Sequence, residues 1–256
     1  MKSSNPVLNE NVFSQSRSDG VSEPMTVQGA VNKAFILLTF MLMSAFWVWG
    51  KLMRPAGPFE EASSQSLTAV APFIMGGFVV GIIAFLIMMF KKEWSSFAAP
   101  VYAGCQGFVL GGISAVLEMR FPGIAIQAVG LTFGTLFSML FLYKTGIVRA
   151  TEKFKMGVFA ATGAIALVYL MNFILGFFHR NLPFMYENSI VGIGFSLVVV
   201  GIAALNLILD FDFIEQGARQ GAAKYMEWYC AFGLMVTLIW LYMEILNLLA
   251  KLRSRD

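Results

Sequence analysis

Residues 229–250 read Tyr-Cys-Ala-Phe-Gly-Leu-Met-Val-Thr-Leu-Ile-Trp-Leu-Tyr-Met-Glu-Ile-Leu-Asn-Leu-Leu-Ala, an apolar run with one carboxylate, Glu244, inside it. A helix of about 20 residues crosses the ~30 Å hydrocarbon core of a bilayer, so a run of this length reads as a transmembrane helix. An ionised side chain at mid-bilayer costs about 2.5–3.5 kcal/mol even on lenient insertion scales. Glu244 is therefore expected to face protein or trapped water, to carry a proton for part of its life, and to have a role.

Six further runs precede this one, at about 34–50, 69–90, 98–117, 124–143, 157–178 and 188–209. Backbone polar groups cannot stay unpaired in lipid, so such runs have to be helices. The alternation that marks a β-barrel is absent. The expected fold is an all-α integral membrane bundle of seven helices, residues 34–250, after a polar mobile tail, residues 1–33, that gains helix from Thr26 onward. A short basic tail, residues 251–256, follows. With 58% hydrophobic and 13% charged residues the chain does not suit a soluble domain, which carries about 25% charged. A net charge of +3 points to no nucleic-acid partner.

Loop charges orient the bundle. The N-terminal tail and the second, fourth and sixth loops hold 11 of the 18 Lys and Arg, among them Lys33, Lys91, Lys92 and Lys155; the first, third and fifth hold 4, namely Lys51, Arg54, Arg120 and Arg180. The bias towards positive cytoplasmic loops then places the N-terminus in the cytoplasm. Lys251, Arg253 and Arg255 conflict with it, since seven crossings put them outside. A re-entrant last segment would remove the conflict.

Gly107, Gly111, Ser114 and Glu118 fall on one stripe of the third helix, and Gly130 and Gly134 form a Gly-xxx-Gly pair in the fourth; both patterns suit close helix packing. Cys105 and Cys230 read as small core residues, which leaves no disulfide scaffold or Cys-rich metal site. His179 sits in a short loop beside Arg180, and one histidine builds neither a haem pocket nor a zinc site. No nucleophile–base pair is visible, so no enzyme and no cofactor are expected.

Of the 15 acidic residues, Asp210, Asp212, Glu215, Glu227 and Glu244 lie in the last quarter of the chain, ahead of the terminal Asp256. Asn206 and Asp210 are i, i+4 neighbours, so the amide can bond the carboxyl group. Asp212 points elsewhere, and Glu215 should be wet. Two buried carboxyl groups that approach each other share a proton, because low dielectric and like charge disfavour double ionisation. Losing that proton creates repulsion and leaves oxygens suited to Ca²⁺. Lys91 and Lys92 lie on the same side as Asp210 and are candidates for a cationic latch.

Leu-Asp-Phe-Asp-Phe-Ile-Glu, residues 209–215, and Leu-Tyr-Met-Glu-Ile-Leu-Asn-Leu-Leu, residues 241–249, resemble the Bax inhibitor-1/YccA family. So do Asn-Pro-Val-Leu-Asn-Glu (5–10), Gly-Gly-Ile-Ser (111–114) and Glu-Trp-Tyr-Cys-Ala-Phe-Gly (227–233), and the likeness covers essentially the whole chain. The resemblance implies seven helices with the last one central and, in bacterial relatives, a pH-sensitive Ca²⁺ leak gated by a carboxyl dyad in the cytoplasmic (inner) membrane. Carried over by motif, the dyad is Asp210 and Glu244, a transient Ca²⁺ site, with the cation at Lys91 or Lys92. The family dyad is commonly two aspartates with an arginine latch, which lysine does not match as a bidentate partner. The family also covers bacterial members that modulate a membrane-anchored quality-control protease, an alternative function. Oligomeric state is not implied.

Counting along the chain raises a second pairing. If the turn lies near Ala218–Gly221, Asp210 is about 9 residues before it and Glu244 about 24 after it, an offset of roughly 22 Å along the hairpin. Glu227 is then the better-placed partner for Asp210, and Glu244 lies level with Glu118. Both pairings stand as expectations.

Overall fold

The computed structural model describes residues 23–53, 64–178 and 189–255. Most of the expected tail, the Asn5–Glu10 stretch, Arg54, His179 and Arg180 lie outside these residues. Among the described residues, seven helices are long and apolar enough to cross a membrane. They are α1 (Val27–Leu52), α2 (Ser64–Phe90), α3 (Ser95–Arg120), α4 (Ile124–Lys144), α5 (Glu152–Phe177), α6 (Ile190–Arg219) and α7 (Met226–Arg253). A 3₁₀ turn, Lys92–Trp94, joins α2 to α3.

Each helix start poses the same problem, the backbone N–H groups that have no intrahelical acceptor. Thr26, Thr151 and Ser189 cap α1, α5 and α6 by accepting from Gly29, Phe154 and Gly192. Glu118 does this for α4 from the preceding helix, accepting from Gly123 N at 2.5 Å and Ala125 N at 3.0 Å. Thr26 as cap agrees with helix beginning there. Residues 23–33, however, are docked rather than a loose tail, since Met25 is 2% exposed and its N–H donates to Ala222 O at 2.7 Å.

Burial is greatest in α7, where 56% of the most apolar stretch is covered, against 44% in the α3 span and 17–39% in the others. It packs against α1, α3, α4 and α6. The glycine stripe of α3 works as its spacing suggests. A Cβ on Gly107 would overlap Met41 O, and one on Gly111 would lie 2.6 Å from Ala45 O, so α1 and α3 touch backbone to backbone. Ser114, on the same stripe, meets Tyr242 of α7 at 2.6 Å. Gly130 and Gly134 have no such role: no described atom lies within 4 Å of where their Cβ would be.

The seventh helix runs unbroken to Arg253, whose guanidinium donates to Pro122 O at 2.6 Å and Gln127 Oε1 at 3.0 Å in the α3–α4 turn. The segment before α1 meets the α6–α7 turn through a bridge between Pro24 and Ala223. The start of α1 and the end of α7 thus lie at opposite ends of the bundle, here called near and far. Nothing in α7 turns back on itself: the helix is continuous from Met226 to Arg253. Lys251 is not tail either: it is 4% exposed and donates to Ser196 Oγ at 2.8 Å and Gly192 O at 3.3 Å. Basic residues fixed in the packing in this way are poor reporters of orientation.

Candidate functional site: two buried acidic clusters

At the near end, the first turn of α7 carries Glu227, which is 0% exposed. Its Oε1 accepts from Thr26 N at 2.8 Å and Thr26 Oγ1 at 3.1 Å, and Lys33 of α1 forms a salt bridge with Oε2. Lys224 stands 3.6 Å from the same carboxylate, and Lys33 also lies over the Trp228 ring. Gly29 makes room, because any Cβ there would overlap the carboxylate. A charge so enclosed needs both a counter-ion and hydrogen bonds, and here it has both.

Asp210, in the last third of α6, is 1% exposed. It and Glu227 are both within electrostatic range of the buried Cys230 thiol of α7. Asn206 donates amide N–H groups to Thr162 Oγ1 and Ile202 O, each at 2.8 Å. Asp212 also differs from a solvated helix end: Lys155 of α5, 7% exposed, meets it at 2.8 Å. Glu215 accepts from Tyr143 and Arg219.

Glu244 belongs to another depth. It is 7% exposed, accepts from Tyr169 Oη of α5 at 2.6 Å and from Trp240 Nε1 at 3.2 Å, and feels the charge of Lys251. Lys251 in turn bonds the start of α6. Glu244 follows Cys230 by 14 residues on one continuous helix, a rise of ~21 Å. Glu244 therefore lies at a different depth from Cys230, the residue on which the charges of Asp210 and Glu227 act. Glu244 does not meet Glu118, which caps α4.

The latch candidates are placed but differently engaged. Lys91 lies over the Trp94 ring, 5.5 Å from its centroid, and Lys92 over Tyr229 at 5.9 Å. The cation bonded to the α7 acid is Lys33, which a loop-charge count treats only as an orientation signal. A second feature was missed. Lys155, Thr162 and Tyr169 recur every seven residues on α5 and reach Asp212, Asn206 and Glu244 in turn. With Val158, Ile165 and Asn172 buried on the same helix, that face is a polar ladder set among apolar contacts. The seven-residue spacing was the available signal.

Among the described residues, no group of three His, Cys, Asp or Glu is arranged to hold a metal ion. None of the curated proteins matches the chain. A family model described as Bax inhibitor 1 like matches residues 5–254. That match includes all seven spans and both acidic clusters, and the chain therefore belongs to the Bax inhibitor 1-like family.

Proposed function

We propose that this multi-pass membrane protein is a pH-sensitive cation leak, with Ca²⁺ as the permeant ion and buried carboxyl groups of α6 and α7 as its gate. The observation that carries the reading is the burial of Asp210 and Glu227, 1% and 0% exposed, on the packed helices α6 and α7. With Asp210 protonated, Glu227 is the only charged member of the two acids, and Lys33 and Lys224 stand beside it. Loss of that proton as pH rises adds a second negative charge to a low-dielectric site. Repulsion then loosens the α6–α7 contact, and carboxylate oxygens become ligands for a hard divalent cation. Ca²⁺ is cargo in this scheme, and no residue is assigned a catalytic role. The membrane is proposed to be the bacterial cytoplasmic membrane, with the near end inside.

Reconstitution in dye-loaded liposomes tests the proposal. Ca²⁺ flux should rise from acid to neutral pH, and Asp210→Asn and Glu227→Gln should each flatten that response. Glu244→Gln, at the other depth, should leave its shape intact. Impermeability at every pH would overturn the reading.

A second reading, modulation of a membrane-anchored quality-control protease, is favoured by one contact. Residues 23–26, which continue from the N-terminal segment, are bonded to the α6–α7 turn and to Glu227. A partner that pulled on the segment would act on α7. Deleting residues 1–22 should then abolish protease modulation in cells while leaving liposome flux unchanged.

A further inference from the structure

In the far half of the bundle, α1 and α4 stand apart over α3 and α7 and leave a crevice of about 310 Å³. Its long wall on α1 runs from Leu38 to Trp49, 11 residues apart in the chain and therefore ~16 Å in rise. That is about half of the ~30 Å hydrocarbon core, the depth filled by the chains of one leaflet. The mouth is open where Phe46 and Ile126 are 69% and 72% exposed. The hydroxyls on its walls already have partners: Ser114 with Tyr242, and Thr132 with Ala128 O at 2.7 Å. The interior asks for hydrocarbon and offers a hydrogen bond to nothing.

The far rim is different. Arg253 donates to Pro122 O and Gln127 Oε1 beside Ile126, which uses two of the five N–H donors of a guanidinium. Arg120, exposed, is at the same end. Glu118, the nearby acid, is engaged with the first N–H groups of α4. Hydrocarbon walls ending in available guanidinium donors match one molecule of the surroundings, a phospholipid.

We infer that the crevice between α1 and α4 is a phospholipid site, which takes one acyl chain along Leu38–Trp49 and the lipid phosphate at Arg253. A guanidinium recognises phosphate oxygens through paired N–H donors, and an apolar cleft with a few polar groups at one edge is the usual form of a ligand site.

Trp49 lines the crevice and serves as the probe. Protein in phosphatidylcholine nanodiscs is titrated with phospholipid carrying brominated chains, and the Trp49 signal is taken as the difference between wild type and Trp49→Phe. The reference is Trp47, measured in the same way with Trp47→Phe, since it is 43% exposed but lies outside the crevice. Trp49 should be quenched at a several-fold lower mole fraction of brominated lipid than Trp47. Val129→Phe, which fills the crevice without touching Arg253, should bring the two together. Arg253→Gln, or brominated diacylglycerol in place of phospholipid, should raise the required fraction several-fold. Equal quenching of the two tryptophans, no change in Val129→Phe, or diacylglycerol acting as well as phospholipid would each overturn the assignment. So would protection of Trp49 that grows with protein concentration, which would make a second copy the occupant.

Discussion

Lys33 of α1 and Glu227 of α7, 194 residues apart in sequence, form an ion pair at the near end in which the carboxylate is wholly enclosed. It binds the first helix to the last, and Thr26, which caps α1, bonds the same carboxylate. A half-exposed surface pair is worth little, but removing one member of an enclosed pair strands a charge.

Lys33→Met is accordingly expected to destabilise the protein by about 3–5 kcal/mol. Adding Glu227→Leu should recover most of the loss, since no uncompensated charge remains. Unfolding in detergent, followed by intrinsic fluorescence in a double-mutant cycle, measures both. Equal loss in the single and double variants would show that the pair is not what holds α1 to α7.

Gly29→Ala is expected to cost about 1–3 kcal/mol, because the new methyl group meets the Glu227 carboxylate and forces a shift. Combined with Glu227→Ala, the cost should be less than additive, as for residues in contact. Additive melting shifts would disprove the contact.

Tyr169→Phe removes a donor from the buried Glu244 while preserving the ring. A loss of about 1–3 kcal/mol is expected for a buried acceptor so deprived. Liposome flux should keep its pH response, because Asp210 and Glu227 lie at another depth. A flattened response in this variant would move the gate to Glu244.

Glu118→Ala should lower stability by about 0.5–2 kcal/mol through loss of the cap on α4. Hydrogen exchange should localise the effect to the amides of Gly123 and Ala125. Uniform exchange along α4 would argue against capping.

Reporter fusions at the two termini should report opposite sides of the membrane, since α7 crosses the full bundle. Lys251→Met should lower the melting temperature without moving the C-terminal reporter. Both reporters on one side would contradict the described path of α7.

The likeness between expectation and structure is uneven for a physical reason. Gly107 and Gly111 could be read as a packing face because small size at i, i+4 acts locally, through the shape of one helix surface. Gly130 and Gly134 show the same pattern and face no described neighbour, since spacing describes one helix and not which side another helix covers. Position on α6 shows only that Asp212 points away from Asp210; its partner, Lys155, comes from α5. The depth of Glu244 below Cys230 was legible because rise per residue alone decides depth along one helix.

Seven lipid-length apolar runs, and hence the number, order and alternating direction of the helices, were contained in the amino-acid order itself. A backbone in hydrocarbon has to pair its own polar groups, and only a helix does so within one segment. The partners of the acids were decided in three dimensions. Whether Glu227 meets Lys33, and Glu244 meets Tyr169, depends on how each helix is rotated about its axis and set against distant ones. Those rotations come from many weak contacts such as Gly107 against Met41, summed over the bundle, and no stretch of chain records the sum.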